Sequence, residues 1–432
     1  MKKWYIQISG KQHGPFIIED LAKLKFQGKF TRDTLVWYKV GSKFDWLKAG
    51  DLTPLQDLFV VVKDGNEGLD GIFEDHRDVS GQLSEDRQDK VWAFASGKGG
   101  VGKTLLASAF AIVLAKLGKK VVIVDLDLGG SNMHTIFGLA QPKLTLDHFF
   151  SKKVKNINEV CIKTPLENLS LISGVGGCLG YANPKHVQKL KVISKLRDIN
   201  ADVVILDIGA GSSYNELDFF LASDRQMVVT CPEPSSIQDS YNFVKTALYR
   251  KLRHFFRRHS EIVALLDQCR QEGFASEMQV LLSKIFQLGP DYIEAFGRIL
   301  KNYSPQLIVN MVMEKTEAKE GFAAVTAAKK LLNIDLQYLG FVYFDLDVRK
   351  STKELTPFIL KNPESRASTC IFSMLLDRIL RLGASESIEQ KKNIKKSIMD
   401  TGYRTAAQKG HYNELPLYPQ QHYDELPPSP SA

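Results

Sequence analysis

Ser96-Gly97-Lys98-Gly99-Gly100-Val101-Gly102-Lys103-Thr104 decides how the rest of the chain is read. The apolar run before it, Val91 to Ala95, predicts a buried strand. The run after it, Leu105 to Leu117, has the alanine content and apolar spacing of a helix. A glycine loop between strand and helix, closed by Gly-Lys-Thr, is a phosphate cradle. Gly97, Gly99, Gly100, Val101 and Gly102 supply backbone N–H groups that converge on an anion, and the helix start adds partial positive charge. In this reading Lys103 reaches the β- and γ-phosphates of a nucleotide, and the Thr104 hydroxyl sits on Mg²⁺.

Further apolar runs follow: Val121 to Asp125, Leu169 to Ile172, Asp202 to Asp207, Met227 to Thr230, Leu307 to Asn310 and Tyr338 to Val342. Helical stretches separate most of them, which predicts a doubly wound, mainly parallel sheet covered on both faces. The strands' carboxyl ends then face one crevice. Asp125, Asp127 and Asp207 stand at such ends, so three carboxylates are expected beside the phosphate loop. Acidic residues at strand ends are common singly; three on one edge next to a phosphate cradle are candidates for holding metal and water.

The chain has 432 residues, more than one domain requires, and a formal charge of +8 that permits but does not demand a polyanionic partner. Its five cysteines form no metal-ligand or Cys-x-x-Cys spacing, as expected of a reducing, cytoplasmic setting. No stretch approaches the length of a membrane span. Residues 63 to 90 are acidic and poor in apolar side chains, the pattern of a flexible linker. The α/β domain is expected over 88 to 382. Between 249 and 305 the alternation gives way to amphipathic helices at 260–270, 276–288 and 291–303, a helical insertion. From 385 to 432 a disordered tail is expected. In it His411-Tyr412-Asn413-Glu414-Leu415-Pro416 returns as His422-Tyr423-Asp424-Glu425-Leu426-Pro427, and Pro427-Pro428-Ser429-Pro430 follows.

Residues 1 to 58 read as a small separate domain holding three of the chain's four tryptophans. Trp4-Tyr5, Gly14-Pro15-Phe16, Leu21, Gly28, Leu35-Val36-Trp37, Trp46 and Ala49 resemble the bacterial variant of the GYF domain. Gly14-Pro15-Phe16 is expected as a turn. The resemblance implies that a proline-containing segment docks on an aromatic cradle made of Trp4, Tyr5, Phe16, Trp37 and Trp46. A core filled with aromatics is the alternative. The chain's own C-terminal tail is one candidate ligand, since a flexible tether raises the effective concentration of a weak partner.

Gly97 to Thr104, with its extra lysine at Lys98, is similar to the deviant phosphate loop of the MinD/ParA ATPases. Asp125-Leu126-Asp127 with Asn132 matches their first switch, and Val204 to Gly211 their second. Cys231-Pro232-Glu233-Pro234 and the following Ser235 to Tyr241 look most like the FlhG branch. The resemblance implies a P-loop nucleotidase fold, ATP with Mg²⁺, and a homodimer sandwiching two nucleotides. It places Lys98 on the partner copy's phosphates, Asp127 on the attacking water, and Asp125 in support of the metal shell. Asn310 stands where the family reads adenine, although a strand-end cap is the alternative for it. No Asn-Lys-x-Asp guanine pattern follows, which favours ATP over GTP. The expected function is a slow, partner-stimulated ATPase switch that positions or counts a polar or membrane-associated machine, possibly flagellar in the FlhG manner. A peptide-binding adaptor with ATP as a structural ligand, and a ParA-like DNA cargo positioner, are the alternatives. The basic helix at 388 to 398 is too weakly apolar to predict more than weak peripheral membrane contact. Tyr249 to Arg258, where basic and aromatic residues interleave, leaves polyanion contact open.

Overall fold

The structure, a computed structural model, describes residues 4–8, 11–16, 20–21, 24, 30–31, 33–38, 46–49, 89–127, 130, 132–174, 186–271 and 277–400. The acidic linker up to residue 88, most of the helix expected between Ile18 and Phe26, the glycine-rich run after Gly174, and the repeats and proline-rich end past residue 400 lie outside the described residues. The chain forms two compact units. One comprises residues 1–85, 245–304 and 326–336; the other comprises 86–244, 305–325 and 337–432.

In the first unit the strands are β1 (Trp4–Ile8), β2 (Lys11–Phe16), β3 (Leu35–Tyr38) and β4 (Leu47–Lys48). They form an antiparallel sheet of order β2-β1-β3-β4. Gly14-Pro15-Phe16 is not a turn but the end of edge strand β2, with Phe16 opposite Trp4 across a register shift. An edge position beside an irregular pairing is where a strand tolerates a proline without an N–H.

The second unit is built on the strands β5 (Val91–Ser96), β6 (Val121–Leu126), β7 (Cys161–Lys163), β8 (Leu169–Ile172), β9 (Val203–Ala210), β10 (Arg225–Thr230), β11 (Gln306–Val312) and β12 (Gln337–Tyr343). They make one eight-stranded sheet of order β12-β11-β10-β5-β9-β6-β8-β7. All neighbours run parallel except the edge pair β7–β8. Every residue of β5 and β6 is buried, as strands covered on both faces must be. The helices include α1 (Lys103–Lys116), α2 (Met133–Ile136), α3 (His186–Lys195), α4 (Tyr214–Leu221), α5 (Pro234–Phe255), α6 (Ser260–Gln271), α7 (Glu277–Leu288), α8 (Pro290–Asn302), α9 (Leu346–Lys353), α10 (Arg366–Ser373) and α11 (Ala384–Asp400).

The boundary at 382 and the unstructured tail from 385 do not hold for residues 384–400, which form α11. The reason lies in α1. Leu106 through Ala115 are all buried, so α1 needs apolar cover on the side away from the sheet as well. Ile394 and Ile398 of α11, both buried, join the α1 core, and Lys116 Nζ donates to Ser397 O at 3.2 Å. A helix weakly apolar by composition still supplies two isoleucines one turn apart, which is enough to dock. These two side chains are therefore not available to a membrane.

The core of the small sheet is Trp4, Ile6, Leu21, Phe30, Val36 and Ala49, and Phe286 of α7 packs against it. The insertion helices α6, α7 and α8 thus group with the small domain, and the boundary falls at Lys245.

Candidate functional site: a phosphate loop with converging carboxylates

The loop leaves β5 at Ser96 and enters α1 at Lys103. Gly100 (φ +81°) and Gly102 (φ +82°) are left-handed, a backbone state that side chains with a Cβ rarely adopt. A methyl at Gly102 would also overlap Asn310 Nδ2, and one at Gly97 would overlap Asp239 O near the start of α5. Among the described residues no side chain caps the N-terminus of α1, and no acidic residue occupies its first turn. Its orphan N–H groups and positive dipole end are left for an external anion.

Lys103 and Asp207 form a buried ion pair, Nζ to Oδ1 2.5 Å, with side chains 6% and 1% exposed. Burial pushes the Asp207 carboxyl above the ordinary range. Lys103 and a hydrogen bond from Thr104 pull it back, and Asp127 adds to the push. Asp125 is the direct neighbour of Asp207 across β6 and β9, but it serves the backbone. Its Oδ1 accepts from Asp127 N and its Oδ2 from Met133 N, both at 3.1 Å. One carboxylate thus holds both the Asp127 amide and the amide of Met133, the first residue of α2. The Asp127 carboxylate lies between two glycines. Its Oδ1 is 3.6 Å from the methyl position of Gly130 and 3.7 Å from that of Gly209.

The second lysine of the loop is placed differently. Lys98 Nζ stands 3.3 Å from both Glu233 Oε2 and Ser235 Oγ, with the Lys98 and Glu233 side chains 45% and 66% exposed. Asn310, near the end of β11, donates Nδ2 to Val101 O at 2.8 Å and so buttresses the loop from behind. All the residues read from sequence as phosphate, metal and water ligands thus meet on one edge of the sheet.

Residues 92–358 match the CobQ/CobB/MinD/ParA nucleotide binding domain. The chain belongs to that family. Residues 4–55 match GYF domain 2. The antiactivator FleN of Pseudomonas aeruginosa is 26% identical over 283 residues, 65% of this chain and 82% of that protein. The flagellum site-determining protein YlxH of Helicobacter pylori is 36% identical over 163 residues, 36% of this chain and 53% of that one. The solved structure of the cell division ATPase MinD from Pyrococcus furiosus aligns with a TM-score of 0.46 at 20% identity, covering 68% of this chain and 100% of that one.

The MinD/ParA-type site opens beside Asn310 into a cavity of about 520 Å³ lined by Leu106, Met311, Tyr343, Phe344 and Arg349 among others. Arg366 lies over the Tyr343 ring, 3.6 Å from its centroid, and fixes it. Met311 holds a left-handed backbone (φ +61°) where the β11–β12 register slips between Val309 and Val312. Sequence reading missed these wall residues. Met311 and Tyr343 lie at the carboxyl ends of β11 and β12, where no motif marks them, and the pairing of those strands brings Met311 beside Tyr343.

The donor set fits Mg²⁺. Among the described residues no group of three His, Cys, Asp or Glu could hold a metal unaided. Mg²⁺ beside a nucleotide asks for only one or two protein oxygens, with phosphates and water completing the shell. The Thr104 hydroxyl bonded to Asp207 is such a pair.

In the GYF-type domain the five aromatics divide. Trp4 is 1% exposed and belongs to the core, so it cannot line a cradle. Strand alternation is the cause: Trp4 and Ile6 face inward, Tyr5 outward. Tyr5 pairs with Trp37 in register and stacks on it, centroids 4.4 Å apart. Trp37 meets Trp46 edge-on at 6.2 Å. Trp46 is 37% exposed, and Phe16 is half-buried against the core.

Proposed function

We propose that the α/β unit is an ATP-dependent switch: ATP binding pairs two copies, and slow hydrolysis, quickened by a partner, returns them to monomers. The contrast between the two lysines of one loop carries this reading. Lys103 is buried on Asp207, whereas Lys98 is half-exposed and, among the described residues, tethered by the surface contacts to Glu233 and Ser235. Such exposed pairs are worth little, so Lys98 leaves them at low cost. Two facing nucleotide sites concentrate negative charge, and one lysine from each copy offsets it.

In this reading the α1 N-terminus and Lys103 hold the phosphates, and the cavity beside Asn310 takes the base. Asp127 orients the attacking water on a backbone ordered by Asp125. Thr104 and Asp207 would hold Mg²⁺ with Asp125 behind a water, and the ion would neutralise the phosphates' developing charge. FleN is by name an antiactivator and YlxH a flagellum site-determining protein. By that likeness the dimer regulates the number or place of a polar or membrane-associated machine, and the small domain docks a proline-containing segment of it.

The test is phosphate release together with mass by light scattering. Wild type dimerises with a non-hydrolysable ATP analogue. Lys98→Ala binds nucleotide but stays monomeric, Lys103→Ala loses binding, and Asp127→Ala stays dimeric with hydrolysis lost. A protein that remains monomeric under every condition, with release unaffected by Asp127→Ala, is not such a switch. The outward-facing ladder Tyr5–Trp37–Trp46, half-buried at its first two rings, favours one other reading, a peptide-binding adaptor. Peptide binding that persists without any ATP turnover in wild type would select it.

A further inference from the structure

Glu216 lies in the first turn of α4, three residues after the N-cap Ser213. At that spacing a glutamate normally turns back to cap its own helix. Here it does not. Ser213 Oγ accepts from Asn215 N at 3.3 Å, while Glu216 Oε2 is buried with no donor among the described residues. The side chain is turned toward β9 instead. The point where a Gly209 methyl would sit is 3.5 Å from Glu216 Oε1 and 3.7 Å from Asp127 Oδ1. The next residue, Ala210, pairs with Ser96 at the start of the phosphate loop, and its Cβ is 4.0 Å from the methyl position of Gly99. Two carboxylates from different elements therefore converge beside the phosphate loop, over a glycine with no side chain to part them.

A buried carboxylate oxygen without a donor is costly, and such an orphan points to a donor that arrives with a ligand. In-line attack on a γ-phosphate supplies one. The nucleophilic water must aim a lone pair at phosphorus, so both its O–H bonds need acceptors on the far side. Asp127 offers one acceptor. We infer that Glu216 is the second acceptor for the attacking water, a catalytic residue for which neither a phosphate-loop nor a switch motif accounts. The inference rests on the ATPase reading above. In the step, the water oxygen bonds to the γ-phosphorus, the β–γ bridging bond breaks with its electron pair leaving on ADP, and the water's hydrogens depart with inorganic phosphate. Glu216 forms no bond and keeps no proton.

The test is steady-state phosphate release by the full chain, with binding of a fluorescent ATP analogue measured alongside. Glu216→Ala lowers kcat at least ~10-fold while KM and analogue affinity stay within about threefold. Glu216→Leu keeps the bulk but no acceptor and shows the same loss, which covers the case in which the alanine variant fails to fold. Glu216→Gln keeps one acceptor oxygen and retains most of the turnover. Asp127→Ala/Glu216→Ala is no slower than Asp127→Ala, as expected of groups acting on one water. Turnover within about twofold of wild type in Glu216→Leu, with Asp127→Ala inactive, overturns the inference. So does a fall in kcat matched by an equal fall in analogue affinity. Unchanged turnover in Asp127→Ala instead overturns the ATPase reading, which keeps the two failures apart.

Discussion

Lys103 Nζ lies 2.5 Å from Asp207 Oδ1, and neither side chain reaches solvent to any extent. Each therefore offsets a charge that the other would leave buried and unpaired. Removing one partner of a buried pair leaves the second uncompensated, a loss of about 3–5 kcal/mol, whereas removing both costs less. Lys103→Met and Asp207→Leu are each expected to destabilise by roughly that amount, and the double variant by less than their sum. Chemical denaturation of the three variants measures the coupling.

The loop's last glycine has two separate obligations, and a second cycle tells them apart. Gly102→Ala runs into Asn310 Nδ2 and must also hold φ +82°. The left-handed backbone alone costs about 1–2 kcal/mol for a residue with a Cβ. Asn310→Ala relieves the overlap but not the backbone strain, so Gly102→Ala/Asn310→Ala should recover part of the stability lost by Gly102→Ala. Full recovery in thermal melts would mean that the contact, not the dihedral angle, demands the glycine.

The strands and the phosphate loop are legible because their signals are local: unbroken apolar runs, and glycines at fixed offsets from a lysine. What escapes a reading of the sequence is written elsewhere in the chain. Residues 384–400 look unable to fold because the reason for their docking is the apolar surface of α1, almost three hundred residues earlier. Trp4 and Tyr5 group naturally as one cradle, although period-two alternation sends neighbours to opposite faces. Glu216 hides behind a spacing that ordinarily marks a helix cap. The strand ends do put Asp125 and Asp207 on one edge. That one carries a lysine and the other two backbone N–H groups depends on loop geometry that no spacing records.

The docking of α11 should be measurable side chain by side chain. Ile394→Ala and Ile398→Ala each remove a buried side chain from the α1 core and should cost roughly 2–4 kcal/mol. Ile388→Ala and Met399→Ala, at positions 56% and 63% exposed, should change stability little. Denaturation midpoints check the contrast. Equal effects at all four positions would show that the helix does not pack as described.

The same helix should loosen in acid. Asp377 accepts from Ser387 Oγ and from Lys391 Nζ at 2.9 Å, pinning the start of α11. Partial burial opposes ionisation of Asp377, but Ser387 and Lys391 outweigh it and hold the carboxyl below the usual aspartate value. A depressed folded value means the contribution is complete above the unfolded value of about 3.9 and is lost as pH falls through the lower folded value. Hydrogen exchange at the α11 amides should therefore quicken below about pH 4 in wild type. In Asp377→Asn the step should be absent. A step of equal size in the variant would assign the acid response to other groups.

In the small domain, neighbouring residues of one strand face opposite ways. Trp4→Ala empties a core position and should cost about 3–5 kcal/mol, enough to unfold a domain of this size. Tyr5→Ala, Trp37→Ala and Trp46→Ala act on the outward ladder and should leave the fold standing. If that ladder takes proline-containing segments, a peptide carrying Asp424-Glu425-Leu426-Pro427-Pro428-Ser429-Pro430 should shift tryptophan fluorescence of the full chain. Trp46→Ala should then weaken binding about tenfold, a loss of ~1.4 kcal/mol. Ending the chain at residue 400 should raise the apparent affinity for the added peptide, since the tethered copy no longer competes. Unchanged affinity in the shortened chain would show that the tail leaves the ladder open to another protein, and no response to the peptide at all would remove this sequence from its ligands.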